Sequence, residues 1–244
     1  MNNLKLYRCA EHTRKKLGGN DSSPIDIFAV VQNIDNLSLV LYPFNEHISG
    51  MCIRIKDDAV IAINSSMSVG RQNFSIAHEL YHYYYHKDVE RTVCQKAIGK
   101  GEEREKEADK FASYLLMPLS LSEEGRSKDM TVEDVIKLEQ YYRVSHQAMI
   151  YRLLEENLIT KTQADKYRQE KVIQKAAQLG YDTSLYKPSR EDKKCKTFGF
   201  YLKEAQASIE KDIISNGKYE QLLSEAFRTD IVYGDDVEGV IPID

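Results

Sequence analysis

The residue types and spacing best suited to chemistry lie in Phe74-Ser75-Ile76-Ala77-His78-Glu79-Leu80-Tyr81-His82. Residues four apart on a helix stand one turn above each other. His78 and His82 therefore present two imidazoles to a single ion, and Zn²⁺ takes nitrogen ligands at about 2.0–2.1 Å. Glu79 follows the first histidine, where its carboxylate can take a proton from the attacking water as general base. Ile76, Ala77, Leu80 and the nearby aromatics make this helix largely apolar, as expected of a helix buried behind an active site.

A catalytic zinc needs a third protein ligand and an open position. The run Glu102 to Pro118 reads as a second helix, stopped by the proline, with an apolar face of Ala108, Phe111, Ala112, Leu115 and Leu116. At about 100° per residue, Glu105 falls at the edge of that face and Glu107 further out. Glu105 is thus the expected third ligand and Glu107 the alternative. Asp109, one turn after Glu105, is placed to hydrogen-bond a ligand histidine from behind. Glu102 and Glu103 read as a solvated face. His86 lies two turns from His78, about 12 Å along the axis, so both cannot serve one ion. Together with Tyr83 and Tyr84 it is a candidate for lining the cleft or donating to the oxyanion.

These residues require elements to hold them. Residues 4–17 read as an amphipathic helix, and Ser23-Pro24 as the start of a second one. Segments 37–42, 50–55 and 59–64 read as strands, the last two joined by Lys56-Asp57-Asp58. A small sheet just before a His-Glu-x-x-His helix suits a zinc peptidase, because an exposed sheet edge can hold a peptide in extended form. Residues 87–103 are charged and contain glycine, and read as a loop near the cleft. Residues 131–159 read as two short helices, the first capped by Thr131. Their sequence resembles a helix-turn-helix, yet 143–156 carries only Arg143 and Arg152 as firm positive charge, which argues against direct DNA binding. Residues 161–179 read as a polar helix, 186–194 as a linker, 198–228 as helix broken near Asn216-Gly217, and 235–244 as a loose acidic tail.

With 244 residues, 42% hydrophobic and 30% charged, the chain is long enough for one substantial domain and a smaller one. A net charge of −4 speaks against a broad nucleic-acid-binding surface. The start lacks the apolar core of a secretory signal, and no run approaches the ~20 residues that span a bilayer. Cys9, Cys52, Cys94 and Cys195 show no Cys-x-x-Cys spacing, so free thiols in a reducing cytoplasm are expected. A cysteine ligand stays open, with no spacing to support it.

The run Arg71 to His82, then Glu105 to Ala112 and Leu115-Leu116-Met117-Pro118, resembles the ImmA/IrrE family of metallopeptidases over roughly residues 20–160. That family typically shows Arg-Gln-Arg-Phe-Thr-x-Ala-His-Glu-Leu-Gly-His, then Glu-x-Glu-Ala-Asn-x-Phe-Ala and Leu-Leu-Met-Pro. Here Asn73, Tyr81 and Asp109 replace the usual Arg, Gly and Asn, and Tyr81 is expected to narrow the cleft.

The expected fold is α+β: a zincin-like metallopeptidase domain over 1–160, with a helical subdomain from about 129, then a helical C-terminal extension over 161–244. The resemblance implies a zinc-dependent endopeptidase, with Mn²⁺ as a substitute metal. Its substrate would be a cognate helix-turn-helix repressor of a mobile element, stress or toxin–antitoxin-like operon. The competing expectation is a non-catalytic regulator that binds a partner or DNA around a structural or vestigial metal site.

Overall fold

The computed structural model describes residues 2–20, 22–86, 91–95, 97–99, 101–118 and 130–234. Helices α1 (Asn3–Lys16) and α2 (Ile27–Val31) precede strands β1 (Leu37–Tyr42), β2 (Ile48–Ile55) and β3 (Asp58–Asn64). Helix α3 (Val69–Tyr85), strand β4 (Arg91–Gln95) and helix α4 (Glu103–Leu116) follow. Helices α5 (Val132–Tyr142), α6 (His146–Glu155), α7 (Lys161–Arg168) and α8 (Val172–Gln178) come next. Strand β5 (Lys196–Gly199) then leads into α9 (Phe200–Glu210), α10 (Asn216–Glu225) and α11 (Thr229–Tyr233). The architecture is α+β and zincin-like, with one five-stranded sheet in the order β4-β2-β3-β1-β5. Only β1 and β3 run parallel; the other neighbours are antiparallel.

Alternation along the strands builds the core. Leu39 pairs with Ile61 and Leu41 with Ile63, while Cys52 faces Ile61 across the other edge of β3. In a sheet, paired residues share a face. These side chains join Phe74, Ile76, Ala77 and Leu80 of α3 in one apolar cluster. From Gly70 to His82 every residue of α3 is buried, because strands β2 and β3 pack on one side of it and α4 and α2 on others. Arg14 of α1 is spent inside the protein. Its guanidinium donates to the carbonyls of Leu115, Ser23 and, at 2.8 Å, Asn20, tying α1 to the end of α4.

The start of α3 is clamped. A Cβ on Gly70 would stand 2.7 Å from Ser145 N, so only glycine lets the α5–α6 turn sit directly on the helix. The amide of Val69, which has no partner within the helix, donates to Lys187 O at 2.8 Å. Ser189 Oγ donates to Gln72 Oε1 at 3.0 Å. The segment read as a linker, 186–194, is therefore bonded to the helix that carries the site.

Other expectations shift as well. The second helix begins at Ile27 with Asp26 as its cap, not at Ser23-Pro24, because Asn20 Oδ1 accepts from the amides of Ser22 and Ser23 and holds them in a turn. Residues 161–179 form two helices, parted after Gln169. The 87–103 loop contains a strand, β4, and the helical extension contains another, β5. At Gly199, φ is +87° and a Cβ would meet Leu37 O at 3.0 Å, so glycine permits the turn from β5 into α9. The break expected at Asn216-Gly217 falls earlier: Ser215 caps α10 and those two residues begin it. The acidic tail 235–244 lies outside the described residues. Among the described residues no helix is long and apolar enough to cross a membrane.

Candidate metal centre

One turn of α3 and one of α4 face each other. His78 Nε2 and His82 Nε2 lie 3.2 Å apart. Glu105 brings Oε2 to 3.3 Å from His78 Nε2 and Oε1 to 3.5 Å from His82 Nε2. A tetrahedral centre with bonds of about 2.0–2.1 Å has edges of about 3.3–3.4 Å. The two nitrogens stand close to that spacing and each has a different oxygen of Glu105 within 3.5 Å, so the residues fit a divalent metal.

The outer nitrogens are held too. His78 Nδ1 is 2.8 Å from Asp109 Oδ1, whose second oxygen accepts from Gly99 N at 2.6 Å. His82 Nδ1 lies 2.8 Å from His86 Nδ1. Both contacts fix ring orientation and leave Nε2 aimed at the centre. Glu107 turns away and accepts from Tyr81 Oη at 3.0 Å. Tyr81 itself is fully buried against Phe111 and Tyr85, so it is core and does not narrow the cleft.

Tyr83 and Tyr84 do not reach the centre. Each residue turns the helix by about 100°, and both rings line a cavity with Lys16, Leu17 and Asp35 instead. Tyr83 lies against Arg54 and Tyr84 under Lys16. His86 stands behind His82, against its outer ring nitrogen, and beside the Tyr81 ring.

Electrostatics follow from burial. Burial pushes Glu79 up to about 7, opposed in part by the neighbouring charge on His78. Both oxygens of Glu79 are buried, with no nitrogen or oxygen donor of the protein bonded to them, and the Cys94 thiol is beside them. Burial works against charge on His78, but hydrogen bonds to Asp109 and Glu105 outweigh it and raise the imidazole to about 10. His82 is lowered to about 3 by burial and then by His78. Burial also opposes ionisation of Glu105, yet its bond to His78 holds it below the ordinary carboxylate value. The opposite shifts leave the pair carrying one proton, held by His78.

A fourth donor stands here that spacing alone did not reveal. Cys94 of β4 joins His78, His82 and Glu105, with all four ligand atoms within 4.8 Å of one another. Cys94 pairs with Gly50 of β2, beside a register shift between Ile48 and Gly50 that leaves Ser49 as the extra residue. Ser49 Oγ donates to Cys94 O at 3.2 Å. A Cβ on Gly50 would meet Glu79 Oε1 at 3.0 Å, so this glycine makes room for the carboxylate. Burial, with Glu79 and Glu105 nearby, pushes the Cys94 thiol far above its ordinary value. The available signals are weak: a glycine inside β2 and the short strand-prone run Thr92-Val93-Cys94.

No curated protein matches the chain. Residues 39–154 match the family model described as the IrrE N-terminal-like domain, Peptidase_M78. That interval contains His78, Glu79, His82, Cys94 and Glu105, together with the strands and helices that position them. Over residues 39–154, this chain is therefore similar to the IrrE N-terminal-like domain, Peptidase_M78, in agreement with the ImmA/IrrE motifs in its sequence.

Proposed function

We propose that the protein is a zinc-dependent endopeptidase in which His78, His82 and Glu105 hold the metal and Glu79 moves the proton. The carrying observation is the convergence of two imidazoles and the Glu105 carboxylate, with the fully buried carboxylate of Glu79 beside them. Bound zinc, or manganese in its place, would supply Lewis acidity toward a scissile carbonyl and its attacking water. Glu79 then takes the water's proton and returns it to the leaving amine. A carboxyl at about 7 suits that exchange near neutral pH. Asp109 and His86 keep the two imidazoles oriented. Among the described residues β4 is paired on one side only, by β2, so an extended peptide can add to its other side.

The substrate we propose is a helix-turn-helix repressor of a mobile element, stress or toxin–antitoxin-like operon, cut in the cytoplasm. This rests on the family resemblance. Direct DNA binding is not part of the proposal: Arg152, one of the few cations on the α5–α6 pair, is buried against Glu156 and over the Tyr114 ring. The decisive assay incubates the protein with the regulator encoded beside its gene, with and without chelator and with Glu79→Gln. A discrete cut that chelator and the variant both abolish supports the proposal. A stable complex without a cut refutes it and favours a binding regulator with a structural metal site, a reading that the closeness of Cys94 also supports.

A further inference from the structure

Building on the peptidase reading, we infer that Cys94 Sγ is a fourth metal donor, which closes the centre and must withdraw before a peptide can be cut. A tetrahedral site with one sulfur at about 2.3 Å and nitrogen or oxygen at about 2.0–2.1 Å has mixed edges of about 3.6 Å. The Cys94 Sγ already lies within 4.8 Å of each of the other three donor atoms. Closing the set therefore takes a movement on the order of 1 Å, within reach of a side-chain rotation.

The thiol is aimed. Pairing with Gly50 puts Cys94 on the face that β2 turns toward Glu79, and the Ser49 bond fixes its backbone. A buried cysteine is more often a small apolar filler. Cys52, two residues from Gly50, has that role and belongs to the apolar core cluster. Cys94 is equally buried but stands outside that cluster, with two imidazoles and a carboxylate as its neighbours.

The supports differ in a way that gives the arrangement a direction. His78, His82 and Glu105 project from α3 and α4, helices packed against each other and the sheet. Cys94 projects from a five-residue strand bonded only to β2 among the described residues. Edge strands are the cheaper elements to displace. With the thiolate in the set, solvent and substrate find no open position; with it withdrawn, three donors and Glu79 remain. A peptide that adds to β4 acts on the strand carrying the latch, so docking and opening are one event.

The test uses the full-length protein, stripped by chelator and refilled with one equivalent of Co²⁺. Wild type and Cys52→Ala are expected to show a near-ultraviolet thiolate-to-cobalt charge-transfer band. Cys94→Ala is expected to lose the band, keep one metal per chain, and cut the regulator faster than wild type. Cobalt bound by wild type without the band overturns the closure and leaves the three-donor peptidase reading standing. A band with no gain in cutting by Cys94→Ala overturns the latch. Failure of wild type to bind one equivalent removes the centre, and closure with it. If Cys94→Ala does not fold, zinc X-ray absorption of the wild type decides: a sulfur shell at about 2.3 Å supports ligation, and its absence refutes it.

Discussion

Glu79→Gln is expected to make the metal-free protein more stable while abolishing cleavage. Glu79 is fully buried, and its carboxyl is raised from 4.5 to about 7, chiefly by burial. The folded chain therefore holds a proton there that the unfolded chain has released. The stability tied to this group is complete below the unfolded value and is lost as pH rises through about 7. Above that range the loss converts to about 3 kcal/mol. Glutamine has the same shape and does not titrate, so the variant escapes the loss. At about 2–4 °C per kcal/mol for a chain of this size, its melting temperature should exceed wild type by about 6–12 °C at pH 8 and match it near pH 4.5. Zinc should narrow the gap at pH 8, since a nearby dication favours the carboxylate. The assay is thermal melting of chelated wild type and variant across pH, followed by zinc titration. A gap that does not change with pH, or that favours wild type at pH 8, would refute the account of Glu79.

Glu105→Gln should weaken zinc binding severely, whereas Glu107→Gln should leave it near wild type, because Glu107 is turned to Tyr81; equal losses by titration would show the ligand assignment to be wrong. Asp109→Asn should lower zinc affinity about 10–100-fold by loosening His78, with little change in the far-ultraviolet spectrum. Gly50→Ala puts a methyl 3.0 Å from Glu79 Oε1 and 3.1 Å from the Ala62 carbonyl, which cannot yield. It should cost about 1–3 kcal/mol of stability and, by displacing Glu79, about 10²-fold in cleavage while one zinc per chain is retained. A fully active Gly50→Ala would mean the close approach is not needed.

What is legible in the sequence is what a helix encodes locally. His78 and His82 are four apart, and the phase of α4 is enough to separate Glu105 from Glu107. Helix phase also argues against Tyr83 and Tyr84, since the residues after His82 turn away from it by about 100° each; the two rings pack beside α1. Cys94 is not legible, because its position depends on a partner 44 residues earlier and on one extra residue in β2. A one-residue change of register would send that thiol to the other face of the sheet. The strand β5 is hidden for a related reason: Lys196 to Gly199 has too few residues for a period, and it becomes a strand by pairing with β1.

The same contrast between local and non-local placement divides the labour within the centre. Donors encoded by helix phase cannot drift relative to one another without breaking the packing of α3 on α4, where His78, His82, Phe111 and Leu115 are all buried. Glu79 shares that rigidity, and the absence of a side chain at Gly50 leaves room for its carboxylate. The donor encoded by strand register is the one whose removal leaves the others undisturbed. On the proposed reading, a centre that holds its metal continuously and cuts a peptide only on occasion is served by this asymmetry: fixed ligands on packed helices and a removable one on an edge.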